Sequence, residues 1–133
     1  MKTRPPWFYK QSGVIPYRIN GTELEMLLVT SRKKGRWIIP KGIIDPGTSA
    51  IDSAVREAFE EAGVQGRAHP KILGKYRYKK WGGTCVVQVF GLEVTRVLDS
   101  WPEAQVRERK WVTKEQAVEL IEEPDLQEIL RNF

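Results

Sequence analysis

The sequence predicts a mixed α/β domain, and three observations carry that prediction. Two strand-like runs, Ser12–Ile19 (SGVIPYRI) and Glu25–Thr30 (EMLLVT), stand first, around the turn-forming pair Asn20-Gly21. A helical run with one apolar side, Ala50–Ala62, follows a loop rich in turn and cap residues. Further strands and then further helices complete the chain, so the two element types alternate instead of segregating.

Taken in order, residues 1–10 form a basic lead-in whose Trp7, Phe8 and Tyr9 are read as a cover for the core edge. The Asn20-Gly21 turn is expected in a connection longer than a two-residue hairpin loop. SRKKGRW is a basic loop, and IIPKG a short extended piece limited by Pro40. In DPGTS, Thr48 or Ser49 can cap the helix that ends near Ala62, with Gly63 as its C′ residue. Ile72–Tyr78 and Cys85–Val94 read as strands of a hairpin that turns at Trp81-Gly82-Gly83, and Lys110–Val112 as a short strand. Thr113 and Gln116 make a capping box for the next helix, and Pro124 suits the first turn of the last. Leu126, Ile129, Leu130 and Phe133 give that last helix an apolar side.

The 133 residues, 41% of them hydrophobic, are enough for one domain with a core. The net charge of +5 favours polyanionic partners, although an ordinary basic protein has the same balance. One cysteine, Cys85, and one histidine, His69, exclude a zinc site of the Cys/His kind. Cys85 is read as a buried small hydrophobe, and His69 as structural or solvent-facing. No apolar run approaches ~20 residues, so no membrane span is expected. MKTRPPWFYK lacks the apolar centre of a signal peptide, and a cytoplasmic location is the expectation.

On a helical wheel Ile51, Ala54, Val55, Ala58, Phe59 and Ala62 share one arc, while Glu57, Glu60 and Glu61 gather on another. Like charges at these spacings repel. A solvated acidic face is one reading. Arg56 lies four residues before Glu60 and four after Asp52, so part of the charge is answered; Glu57 and Glu61 have no basic neighbour at helical spacing. The other reading is a site for a hard divalent cation, which takes carboxylate oxygens, waters and substrate phosphates. Arg32, Lys33, Lys34, Arg36 and Lys41 stand nearby in sequence, as a phosphate chain would require. The chemistry this suggests is metal-assisted attack of water on a phosphoanhydride.

The segment Gly42–Val64, GIIDPGTSAIDSAVREAFEEAGV, resembles the Nudix box, G-x5-E-x7-R-E-U-x-E-E-x-G-U with U a bulky apolar residue. Gly42, Arg56-Glu57, Glu60-Glu61, Gly63 and Val64 match, whereas Thr48 replaces the first glutamate and Ala58 is small. RWIIPKG, LGKYRYKK and WPEAQVRERKWV resemble the diphosphoinositol-polyphosphate phosphohydrolase-like subgroup. The resemblance implies a Nudix-type α/β/α sandwich around a mixed sheet, as one domain over 1–133. It implies Mg2+, or Mn2+, held by Glu57, Glu61, Glu60 and the backbone carbonyl of Lys41. Glu60 is a further ligand or the catalytic base, and Arg56 orients the glutamates. Lys10, Arg32, Lys41, Lys79 and Lys80 are the implied substrate-binding cations. The implied substrate is a highly phosphorylated small molecule, a diphosphoinositol polyphosphate or a diadenosine polyphosphate.

Two further readings stand beside that hydrolase. Thr48 motivates a Nudix-fold phosphate-ligand binding module with weak catalysis. The net charge and Trp7–Tyr9 motivate an RNA 5′-end pyrophosphohydrolase or RNA binder, ranked last because no usual RNA-binding signature is present.

Overall fold

In the computed structural model, which describes residues 2–133, a mixed eight-stranded sheet separates two helical layers. Its strands are β1 (Lys10–Asn20), β2 (Glu23–Thr30), β3 (Trp37–Ile38), β4 (Lys41–Ile43), β5 (Val64–Ala68), β6 (Gly74–Lys80), β7 (Gly83–Val97) and β8 (Arg109–Thr113). The main path runs β3-β2-β1-β7-β5; β4 pairs with β1, β6 with β7 and β8 with β2. Only β1 and β7 run parallel, among the described residues, and they form the centre of the sheet.

Strands at the centre of such a sheet are covered on both faces, so they read as near-continuous apolar runs. The two faces are still separable by period two. Ile15, Met26 and Leu28 point to the layer of α2 (Lys114–Leu120) and α3 (Pro124–Arg131), where Ala117, Ile121, Leu126 and Leu130 meet them. Val14, Leu27 and Val29 point the other way, to α1 (Ala50–Glu57) and its continuation Ala58–Ala62. Alanine at 54, 58 and 62 lets that helix lie close on the sheet; all three are fully buried. The expected α/β/α sandwich is therefore observed.

The β1–β2 connection is shorter than the sequence suggested. Asn20 pairs with Glu23, so the loop is Gly21-Thr22 alone, with Gly21 at φ +67°. The β6–β7 hairpin also turns in two residues, Trp81-Gly82, both at positive φ as a type I′ turn requires. Trp81 is the one non-glycine residue there with positive φ among the described residues. The Tyr9 hydroxyl donates to its carbonyl oxygen at 2.7 Å, and Phe8 and Tyr9 pack edge-on to its ring. The N-terminal aromatics thus brace this turn. β6 starts at Gly74, two residues later than the sequence suggested; Ile72 and Leu73 lie partly in solvent, and the Leu73 N–H donates to Val89 O. Thr113 and Gln116 form the expected capping box, and Cys85 is buried. His69 stacks on Tyr17 and hydrogen-bonds its hydroxyl. No helix among the described residues is long and apolar enough to cross a membrane.

Candidate active site

The acidic helix begins as the sequence indicates, with Ser49 rather than Thr48 as its cap: the Ser49 hydroxyl accepts from Asp52 N at 3.1 Å. It does not stay α-helical. Beyond Glu57 the backbone widens into a π-helical turn, Ala58–Ala62, closed by Gly63 in the left-handed region. Such turns are rare and cluster at functional sites. Its end carbonyls are taken up by a distant segment. Glu103 N donates to Glu60 O at 3.0 Å, the Trp101 indole to Glu61 O at 3.0 Å, and Arg109 to Ala62 O at 2.9 Å. The guanidinium of Arg109 also lies over the Trp101 ring, and its charge suits a helix C-terminus.

The wider winding separates the three glutamates. Glu57 and Glu61 converge on adjoining backbone, Glu57 against Gly42 and Glu61 on Lys41 N. Glu60 is carried round to the Arg56 side, with Arg56 Nε 3.9 Å from its Oε2. The expected three-carboxylate cluster is therefore not assembled; among the described residues no three His, Cys, Asp or Glu side chains meet closely enough to hold a metal.

Glu61 lies inside the protein and Glu57 is half-buried beside it. Glu61 is only 5% exposed, and burial pushes its carboxyl up to about 8, with neighbouring Glu57 adding to the rise and Arg107 and Lys41 opposing it. Burial also raises Glu57, with Glu61 opposing the rise and Glu60 adding to it. Glu61 is held from two sides: Lys41 N donates to its Oε1 at 3.2 Å, and Arg107 Nη2 stands 3.5 Å from Oε2. Arg107 is fixed in turn by Glu103 at 2.7 Å and by the Thr30 carbonyl at 2.9 Å. Gly42 leaves the space that the Glu57 carboxylate fills, since a Cβ there would lie 2.5 Å from its Cδ. Two neighbouring carboxylates offer the oxygen ligands that a hard divalent cation takes, and such a cation would favour their charged forms.

Arg56 meets Asp45, whose carboxylate accepts from Nη2. That hydrogen bond is the main cause raising the guanidinium pKa. Thr48 supplies no side-chain contact there; its N–H donates to Asp45 O at 3.0 Å and closes the turn.

Beside the carboxylates opens a cleft of about 770 Å3. Arg32, Lys33, Lys34, Lys79 and Lys80 line it, with Lys41 and Arg107 where it adjoins Glu61. Among the described residues, the first five have no carboxylate within ion-pair distance. The Lys41 ammonium sits 4.4 Å from the Tyr78 ring centre, and burial lowers its pKa while Glu61 raises it. Of the cations expected to bind substrate, Arg32, Lys41, Lys79 and Lys80 are in this cleft. Lys10 is not; it is the exposed first residue of β1, and its carbonyl accepts from Ile44 N.

Sequence reasoning assigned no role to Asp45, Glu103, Trp101, Arg107 or Arg109. The density of charge and tryptophan in WPEAQVRERKWV marked that stretch, but its partners lie some 46 residues away along the chain.

A sequence profile of the NUDIX domain matches residues 10–133. Nudix hydrolase 21, chloroplastic, of Arabidopsis thaliana is 38% identical over 127 residues, 91% of this chain and 64% of that protein. The chain thus spans less than two thirds of that relative. Diphosphoinositol polyphosphate phosphohydrolase 3-beta of Bos taurus is 31% identical over 120 residues, 89% of this chain and 72% of that protein. Among solved structures, a binary complex of the C. elegans Ap4A hydrolase superposes with a TM-score of 0.79 at 27% identity, over 94% of each chain.

Proposed function

The chain belongs to the Nudix family, and on that premise we propose that it is a metal-dependent pyrophosphohydrolase. Its substrate would be a highly phosphorylated small molecule, a diphosphoinositol polyphosphate or a diadenosine polyphosphate. The observation that carries this reading is the junction of two opposite features. The cation-lined cleft meets Glu61, with Glu57 beside it, at Lys41 and Arg107.

In this reading Glu57 and Glu61 hold Mg2+ or Mn2+, with the Lys41 carbonyl and Glu60 as further ligands. The bound cation would supply an activated water and neutralise charge developing on phosphate oxygens. The chain's own work is positioning. Arg32, Lys79 and Lys80 bind the outlying phosphates, and Lys41 the phosphate nearest the carboxylates. As the base instead of a ligand, Glu60, half-exposed and beside Arg56, would take a proton from water. Relatives bearing the diphosphoinositol and Ap4A names support this substrate class. The cytoplasmic location remains part of the proposal.

The test is hydrolysis of a panel of phosphoanhydrides, including diphosphoinositol and diadenosine polyphosphates, with Mg2+, with Mn2+ and with chelator. Metal-dependent turnover of at least one is expected; no turnover of any would overturn the reading. A second reading, the phosphate-ligand binding module, has one observation in its favour: only two carboxylates meet, and Thr48 adds none. If Thr48→Glu raises turnover strongly while the natural protein binds but barely cleaves the ligand, the module reading is preferred.

A further inference from the structure

We propose that Asp45 is a positioning residue of the metal site, acting through Arg56; this rests on the hydrolase reading above. DPGT looks like simple turn chemistry in the sequence, and the turn is real. Thr48 N closes it on Asp45 O, and Gly47 takes φ +84° to allow it. The consequence lies in the side chain. The turn folds Asp45 back along the helix, so that its carboxylate meets Arg56 eleven residues on.

Arg56 then has two fixed ends. Nη2 donates to Asp45, while Nε faces Glu60 Oε2 at 3.9 Å, and the charges of Glu57 and Glu60 both act on the guanidinium. A long, partly exposed arginine facing two glutamates has several rotamers of similar energy. A carboxylate on its far side selects one, because the guanidinium fork is planar and its donors are fixed relative to one another. Asp45 therefore sets the orientation of Arg56, and Arg56 that of Glu60. No other carboxylate among the described residues holds the Nη2 end. The plainer alternative is an exposed ion pair that staples a loop to a helix, and such pairs contribute little. The two differ in what they move: a staple affects stability, a positioning residue affects metal binding and turnover.

The experiment compares Asp45→Asn, Asp45→Glu, Arg56→Gln and the double variant Asp45→Asn/Arg56→Gln in the full chain. It measures kcat and KM at saturating Mg2+, Mg2+ affinity by calorimetry, and melting temperature. Groups that orient metal-ligating side chains are typically worth ~10–100-fold in affinity or activity. Asp45→Asn is expected to lower kcat by about 10-fold and to weaken Mg2+ binding, with KM and melting temperature little changed. Asp45→Glu, which keeps the charge, should recover most of the loss. The double variant should be no worse than Arg56→Gln, since a residue acting through another adds nothing once that other is gone. Wild-type kcat and Mg2+ affinity in Asp45→Asn would overturn the proposal, as would losses that multiply in the double variant. If the wild type cleaves no phosphoanhydride, the hydrolase reading fails separately. The Mg2+ affinities then decide the role of Asp45 alone: weaker binding in Asp45→Asn supports it, and equal binding overturns it.

Discussion

The two sides of the site are built on opposite principles. On the acidic side, buried Glu61 is held by Lys41 and Arg107, with half-buried Glu57 beside it against Gly42. On the basic side, Arg32, Lys33, Lys34, Lys79 and Lys80 stand along an open cleft. A cation with strict ligand geometry needs a few carboxylates in fixed places. A chain of phosphates needs positive charge over a length, and no single lysine is indispensable to that. The acidic side should therefore fail at once when altered, and the basic side by degrees.

The sharpest way to break this contrast is Glu61→Gln. It removes a charge held by two fixed donors and should lower Mg2+-dependent turnover by more than ~100-fold, beyond what orienting groups are worth. Steady-state kinetics with diphosphoinositol or diadenosine polyphosphate would show it. Next in size is Gly42→Ala. The new Cβ would press on the end of a flexible side chain, the Glu57 carboxylate, and not on backbone. The fold should tolerate it, with a melting temperature close to wild type, while turnover falls roughly 10–100-fold.

pH offers a third test. The Glu61 pKa in the metal-free protein is raised from 4.5 to about 8, so between those values the native state holds a proton that the unfolded chain has released. Stability must then fall as pH rises through that window. Thermal melts without metal should show the fall, and added Mg2+, binding the charged form, should stabilise more at pH 8 than at pH 6. The smallest effects belong to the cleft. Lys79→Ala and Lys80→Ala should each raise KM by roughly 2–5-fold, the scale of an exposed charge pair, and less at high salt. Lys10→Ala, whose residue lies outside the cleft, should leave KM within about 2-fold of wild type. A loss at Lys10 as large as at Lys80 would mean that substrate extends past the cleft.

How far the sequence revealed this site depends on the distance between partners. The glutamates and Arg56 fall within six residues, so a helical wheel finds them. The mixed α and β class was legible because capping box, turn pairs and apolar runs are local signals, while the sandwich came from the resemblance of Gly42–Val64 to the Nudix box. The π-helical turn was not. It depends on Trp101, Glu103 and Arg109 reaching back to the helix end, which no local pattern encodes. Because of it, Glu60 leaves the pair that a regular helix would have let it join. Asp45 was hidden for another reason, since its residue type is fully explained by the turn it occupies. Lys10 lies outside the cleft, and a basic residue near a strand end says nothing about which edge it faces.

The central claim is that Glu57 and Glu61 together hold a divalent cation, and that Glu61, its pKa raised by burial, gives up a proton as the cation binds. Calorimetry of Mg2+ binding near pH 7, in two buffers of different ionisation enthalpy, counts the protons released on binding. Release of about one proton per cation is predicted for the wild type, together with loss of both binding and release in Glu61→Gln. Binding without proton release, or equally tight binding in Glu61→Gln, would contradict the account.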